Sequence, residues 1–227
     1  MNDILRPPAS AHRGPPLLLP AIAYTVLFVA GVVVPMMMAG GQHFPSPFDS
    51  AASVAAYLAN HRESIRVGAF LQLGSVLPLA VFSATVASRL QFLGVRAAGV
   101  QIAQVGGTAA AALLAMTGAL EWAIAQDVGG DSSIHLVHGL VFATGGPAHV
   151  ACFGLLVAGV SVAAGIHRLL PRWLAIFGVA SAIAAELSTL TLVSESLAAL
   201  IPIGRFSGML WMIIAGAVLP DRIDEPE

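Results

Sequence analysis

The chain has 227 residues, of which 57% are hydrophobic and 10% charged, and its mean hydropathy is +0.86. Soluble domains carry about 25% charged residues, so this composition excludes a disordered chain and a small disulfide-linked secreted module. The net charge is −2, all ten basic residues are Arg, and the single cysteine, Cys152, has no partner for an internal disulfide. The chain has no cluster of basic residues that could bind a polyanion, so no nucleic acid is expected among the partners. The chain is predicted to be an integral membrane protein.

Six apolar stretches are long enough to cross a bilayer, which requires about 20 residues per helix. They lack the period-2 alternation of barrel strands, so the predicted fold is an all-α bundle of six transmembrane helices. The third and fourth stretches exceed one span and should tilt or kink. In chain order the stretches are residues 17–39, 67–88, 97–125, 136–166, 173–193 and 197–219.

The first stretch is interpreted as a retained helix, because its run of about 23 apolar residues exceeds the 7–15 residues of a signal-peptide core. The expected organisation is a disordered cytoplasmic N-terminus over residues 1–16 and a membrane domain over residues 17–219. An acidic cytoplasmic tail follows over residues 220–227.

Arginine distribution predicts the orientation, since cytoplasmic loops of membrane proteins are enriched in Arg and Lys. Seven of the ten Arg fall in the termini or in the loops after the second and fourth helices. Both termini are therefore predicted to be cytoplasmic. The seven are Arg6, Arg13, Arg89, Arg96, Arg168, Arg172 and Arg222, and the other side holds Arg62, Arg66, Arg205, Asp127 and Asp131.

The connection between the first two spans contains its own helix signal. Asp49 or Ser50 can cap a short helix over residues 51–63. That helix places Val54, Tyr57 and Leu58 on one face, as expected for an amphipathic segment at the outer interface. Two interpretations stay open: a linker that re-enters the second span, and a lid over a pocket.

Ionisable groups inside a bilayer are costly, at about 2.5–3.5 kcal/mol on insertion scales, so they are the first candidates for function. On helix 4, His138 and His149 lie eleven residues apart and so fall on nearly one face, with a predicted kink at Gly145–Gly146–Pro147 between them. Glu186 on helix 5 must be protonated, hydrated or paired, with Arg205 as its partner if Arg205 is buried. The candidate pocket residues are Glu121, His135, His138, His149, Glu186, Glu195 and Arg205.

Metal and haem binding are the alternatives to structural roles for the histidines. His135 and His138 could share an ion with Glu121, but zinc uses three or four protein ligands and no HExxH motif is present. A bis-histidine haem needs a second His on a facing helix, and the remaining histidines lie outside the spans. We expect no cofactor, and a metal ion bound by His135, His138 and Glu121 is the alternative. The favoured role of the histidines is hydrogen bonding within the bundle.

Three stretches resemble the helix-entry and packing patterns of a family of small multi-pass bacterial membrane proteins of unknown function. They are Arg66–Gly74 (RVGAFLQLG), Leu169–Ala175 (LLPRWLA) and Phe206–Trp211 (FSGMLW). The resemblance covers residues 17–219 and implies a six-helix protein of the bacterial inner membrane. The resemblance identifies no catalytic residues and no substrate.

The preferred functional hypothesis is a membrane protein with an outward-facing polar pocket, built from helices 3 to 6, that binds or moves a small solute, lipid or proton. One alternative is a metal-assisted intramembrane hydrolase. Another is a non-catalytic partner of a second membrane protein. The sequence is compatible with an oligomer, and it contains no nucleophile elbow, phosphate loop or dinucleotide fingerprint.

Overall fold

The computed structural model describes residues 11–126 and 131–222, with the backbone alone for 131–134. The predictions for Arg6, for Asp127 and for the tail beyond residue 222 lie outside the described residues, as does the side chain of Asp131. Within the described part the fold is helical without strands, as predicted. Its helices are α1 Leu18–Met38, α2 Ala51–Asn60, α3 Arg62–Phe92, α4 Ala98–Ile124, α5 Asp131–Ala143, α6 His149–Ile166, α7 Arg172–Leu187 and α8 Leu200–Val218.

Six membrane spans are confirmed by length and hydropathy: α1, α3, α4, α5 continued by α6, α7 with a short 3-10 extension, and α8 preceded by a 3-10 turn. Consecutive spans pack side by side, and α8 returns to contact α1, which closes the bundle. The fourth span is the most buried, because α6 contacts α4, α7 and α8.

Glycines allow the helices to approach closely, as expected where small residues replace a hydrophobic driving force between helices. A Cβ at Gly106 of α4 would lie 2.6 Å from Leu155 Cβ on α6. A Cβ at Gly204 of α8 would lie 2.6 Å from Ala185 Cα on α7. Gly106 and Gly204 therefore lie where two helices come into close contact.

The fourth span is broken where the sequence predicts a kink. Residues Thr144–Ala148 form a π-helical turn, and Gly146 has φ −86° and ψ −107°, outside the helical region. Pro147 has no N–H for the helical ladder and crowds the preceding turn, so the helix cannot continue regularly here. The turn separates α5 from α6.

The ends of the last two spans differ from the predicted bounds. α7 stops at Leu187 and continues as a 3-10 helix over Ser188–Leu192. α8 begins at Leu200, so Arg205 is its sixth residue and lies within the helix.

Residues 11–16, assigned by the sequence to a disordered N-terminus, lie against the C-terminal end of α8. The His12 N–H donates to Asp221 O at 2.9 Å, and the buried Arg89 of α3 donates to Pro15 O and Leu219 O, each at 3.3 Å. Burial and the nearby Arg89 charge lower the pKa of His12, against a smaller effect of Asp221. These hydrogen bonds satisfy backbone carbonyl groups at this end of the bundle. They hold residues 11–16 against the chain that follows α8.

Candidate functional site

The α1–α2 connection together with α2, residues 42–60, is here called the lid. It follows Gly40 and Gly41, whose φ values of 68° and 89° turn the chain back over the bundle, a conformation that favours glycine. The predicted cap is confirmed at Ser50, whose side chain accepts from Ser53 N at 3.2 Å. The predicted apolar face of α2 is buried, as the sequence pattern indicated.

His138 fastens the lid to α5. Its Nε2–H donates to Pro45 O at 3.1 Å, because a carbonyl oxygen can only accept, and its ring lies 5.2 Å from the Phe44 ring. Phe48 makes an edge-to-face contact with Phe142 at 5.6 Å. His138 therefore positions the lid and leaves its buried Nδ1 without a partner.

Beneath the lid lies a cavity of about 140 Å³ between α1, α3 and α4. Its apolar wall comes mostly from α1 and α3, and the lid contributes three ring-bearing side chains. The lining residues are Gly31, Val32, Pro35, Met36, His43, Phe44, Tyr57, Ile65, Gly68, Gln72 and Glu121.

Two polar groups enter this cavity from the membrane helices. Gln72 packs against Gly31, and its buried Oε1 accepts no hydrogen bond. Glu121 lies in the last turn of α4 and is the only carboxylate among the lining residues, which include no Arg or Lys. Its side chain is half-buried, and the hydrogen bonds and ion pairs among the described residues include none to the Glu121 carboxyl.

The cavity lies among the first three spans, whereas the sequence predicted a pocket built from the third to sixth spans. Glu121 follows Gly118 by three residues and shares its helix face. A Cβ at Gly118 would lie 2.8 Å from Leu73 Cγ, so this face of α4 is pressed against α3. The Glu121 side chain therefore lies between the first three spans, α1, α3 and α4.

On the lid, burial raises the pKa of Tyr57 above its ordinary value, while the Ser64 hydroxyl has a smaller opposing effect. The phenol thus stays neutral and keeps its donor proton at physiological pH. Its ring meets the Phe44 ring edge to face at 5.9 Å.

A second polar cluster lies in the middle of the bundle around His149, which is fully buried. Its Nδ1–H donates to Ala110 O at 2.9 Å, which leaves Nε2 to accept from the Tyr24 hydroxyl at 3.2 Å. The imidazole is parallel to the rings of Phe28 and Phe153, with centroids 6.3 and 6.2 Å away. Both ring nitrogens are therefore satisfied in the core.

Arg205 approaches the same cluster from α8. Its guanidinium donates to Gly145 O, which the π-turn exposes, and lies over the Phe28 ring with Cζ 4.9 Å from the centroid. The predicted pairing with Glu186 is not found: the described residues give Arg205 no carboxylate partner. Glu186 lies instead against α6 near Gly154, with a buried Oε1 that accepts no hydrogen bond.

The remaining candidates are not brought to either cluster. His135 is exposed at the start of the fourth span, and Glu195 is exposed at the 3-10 turn before α8. The sequence did not identify Tyr24 or Gln72 as residues of a functional site. The only signal for Tyr24 was a lone tyrosine within an apolar span.

No group of three or more His, Cys, Asp or Glu side chains converges among the described residues in a way that could hold a metal ion. His135 and His138, the predicted pair, diverge, since His138 is turned to the lid and His135 is exposed.

Comparison with known proteins gives no further assignment: no family model matches the chain, and no curated protein or solved structure matches it.

Proposed function

We propose that this multi-pass membrane protein binds or moves a small solute through the cavity beneath the lid. The observation that carries the proposal is an unpaired carboxyl, Glu121, lining a cavity that a separate helical segment covers. Glu121 is half-buried, and a carboxylate kept partly from water without a hydrogen-bond or ionic partner is unfavourable, so its presence is better explained by a ligand than by stability.

The size of the cavity favours a small solute over a lipid. A dry cavity of about 150 Å³ accommodates benzene, and the space beneath the lid is about 140 Å³. A phospholipid is many times larger than that space.

Orientation supports access from outside. The lid lies at one end of the bundle. Residues 11 and 222 and the loops that carry Arg96 and Arg168 lie at the other end. With the Arg-rich end in the cytoplasm of a bacterial inner membrane, the cavity faces outward. The hydrolase alternative has no ligand set among the described residues, and the partner-protein alternative gives no role to the cavity.

Cysteine accessibility tests the proposal. In a Cys152→Ser background, Glu121→Cys should react with methyl methanethiosulfonate, since a small neutral reagent can pass the lid when it opens. Adding His138→Ala should accelerate the reaction, because the hydrogen bond to Pro45 O is lost.

The matched control is His135→Ala, three residues earlier and exposed, which should leave the rate unchanged. No labelling of Glu121→Cys, with or without His138→Ala, would show that solutes do not reach the cavity and would overturn the proposal.

A further inference from the structure

Resting on the proposed function, we propose that the cavity's solute is a small primary ammonium ion, bound between the Glu121 carboxylate and the Gln72 side-chain carbonyl. The chemistry of the lining residues, the unsatisfied acceptor and the volume each restrict the ligand independently.

Charge restricts the ligand first. Glu121 is the only acidic residue lining the cavity, and none of the lining residues is Arg or Lys. Arg66 lies near this end of α4, and its guanidinium donates to Ala125 O. A carboxylate in this setting is stabilised most strongly by a cationic ligand, and an anion would meet no Arg or Lys side chain among the lining residues.

The need for hydrogen-bond donors restricts the chemical class of the ligand further. The Gln72 Oε1 is buried and accepts no hydrogen bond from the described residues, and an unsatisfied buried acceptor is costly. A ligand that donates N–H groups satisfies it. A primary ammonium carries three donors, as the Lys side chain does, which is enough for both a carboxylate and an amide carbonyl lining one cavity. A quaternary ammonium has none.

The remaining walls suit the rest of such a molecule. Val32, Pro35 and Ile65 offer apolar surface to an alkyl chain. Phe44 and Tyr57 bring aromatic rings to the same cavity, and a cation is attracted to an aromatic face within about 6 Å. The volume of about 140 Å³ limits the ligand to roughly the size of benzene, as in a four-carbon alkylammonium.

Binding to the nanodisc-reconstituted full chain can be measured by isothermal titration with four probes of similar size: n-butylammonium, tetramethylammonium, 1-butanol and butyrate. We expect n-butylammonium to bind most tightly. Glu121→Gln should weaken both cations, by about tenfold or more for n-butylammonium, because a charge-assisted hydrogen bond is lost.

Gln72→Met separates the two contacts. It keeps the side-chain length but removes the acceptor, so it should weaken n-butylammonium and leave tetramethylammonium unchanged. Glu195→Gln, which neutralises an exposed carboxylate at the same end of the bundle, should alter neither. An unchanged melting temperature for each variant shows that it is folded.

The outcomes separate this inference from the proposed function. Preferred binding of butyrate or 1-butanol, or equal n-butylammonium affinity in Glu121→Gln, would overturn the ammonium assignment while labelling of Glu121→Cys still upholds solute access. If none of the four probes binds and Glu121→Cys stays unlabelled, both proposals fail.

Discussion

At the residue scale, the buried polar groups of this protein divide into those that satisfy one another and those that do not. His149 uses both ring nitrogens, one toward Ala110 O and one toward Tyr24. Arg205 is stabilised by a backbone carbonyl and an aromatic face rather than by a carboxylate. Among the described residues, the buried Gln72 Oε1 and the half-buried Glu121 carboxyl have no such partners, and both side chains line the cavity beneath the lid.

The His149 pair gives a stability prediction. Tyr24→Phe removes the hydroxyl and leaves the buried Nε2 of His149 without a donor, so the free energy of unfolding should fall by about 1–3 kcal/mol. Equilibrium unfolding in detergent micelles measures the loss.

Val26→Ala, at a largely exposed position two residues along α1, provides the comparison and should cost much less. An equal loss in both variants would mean that the Tyr24 hydroxyl contributes nothing specific.

At the element scale, Arg205 binds at the break between α5 and α6. Its guanidinium donates to Gly145 O, which lies within the π-turn. Single π-turns within α-helices occur frequently at functional sites. Thr117 of α4 hydrogen-bonds Thr144 at 2.9 Å and so packs against the same turn.

Gly145→Ala tests how tightly this turn is packed. The new Cβ would lie 2.6 Å from Thr117 Cγ2, and we expect a loss of about 1–3 kcal/mol in the free energy of unfolding, as for other overpacked cores. Thermal and denaturant unfolding of the purified protein report it.

Two further variants identify the clash as the cause. Adding Thr117→Ser removes Cγ2 and should restore most of the stability. Gly139→Ala, on α5 where an added Cβ would meet no atom within 4 Å, should be neutral or stabilising by up to about 1 kcal/mol. A failure of Thr117→Ser to rescue would place the defect in the backbone of the turn.

At the scale of the whole molecule, the two ends of the bundle are chemically different. One end joins the N- and C-terminal segments through Arg89 and His12, and it also carries Arg96, Arg168 and Arg172. The other end carries the lid and the cavity. The positive-inside rule then predicts the termini in the cytoplasm and the lid outside.

Labelling of single cysteines in intact cells tests this orientation. In the Cys152→Ser background, Ser196→Cys, exposed at the lid end, should react with a membrane-impermeant maleimide. Gln91→Cys, exposed at the other end, should react only after permeabilisation. The reverse pattern would place the cavity on the cytoplasmic side.

The number of spans, their approximate bounds, the kink at Gly145–Pro147 and the capped helix of the lid all follow from the amino-acid sequence alone. These features are local: bilayer thickness sets the length of an apolar stretch, proline interrupts a helix wherever it occurs, and Ser50 caps the residues that follow it. The seven candidate residues were found for the same reason, because an ionisable group stands out in an apolar stretch.

Which of these residues meet depends on the packing of the spans. In a soluble helix the apolar stripe reveals the buried face, but a membrane helix is apolar on its lipid side and on its packed side, so its rotation is not encoded in the hydropathy pattern. Close contacts at Gly118 and Gly204 set that rotation. They place Glu121 and Gln72 in the wall of one cavity beneath the lid, while Arg205 reaches Gly145 and Glu186 faces α6.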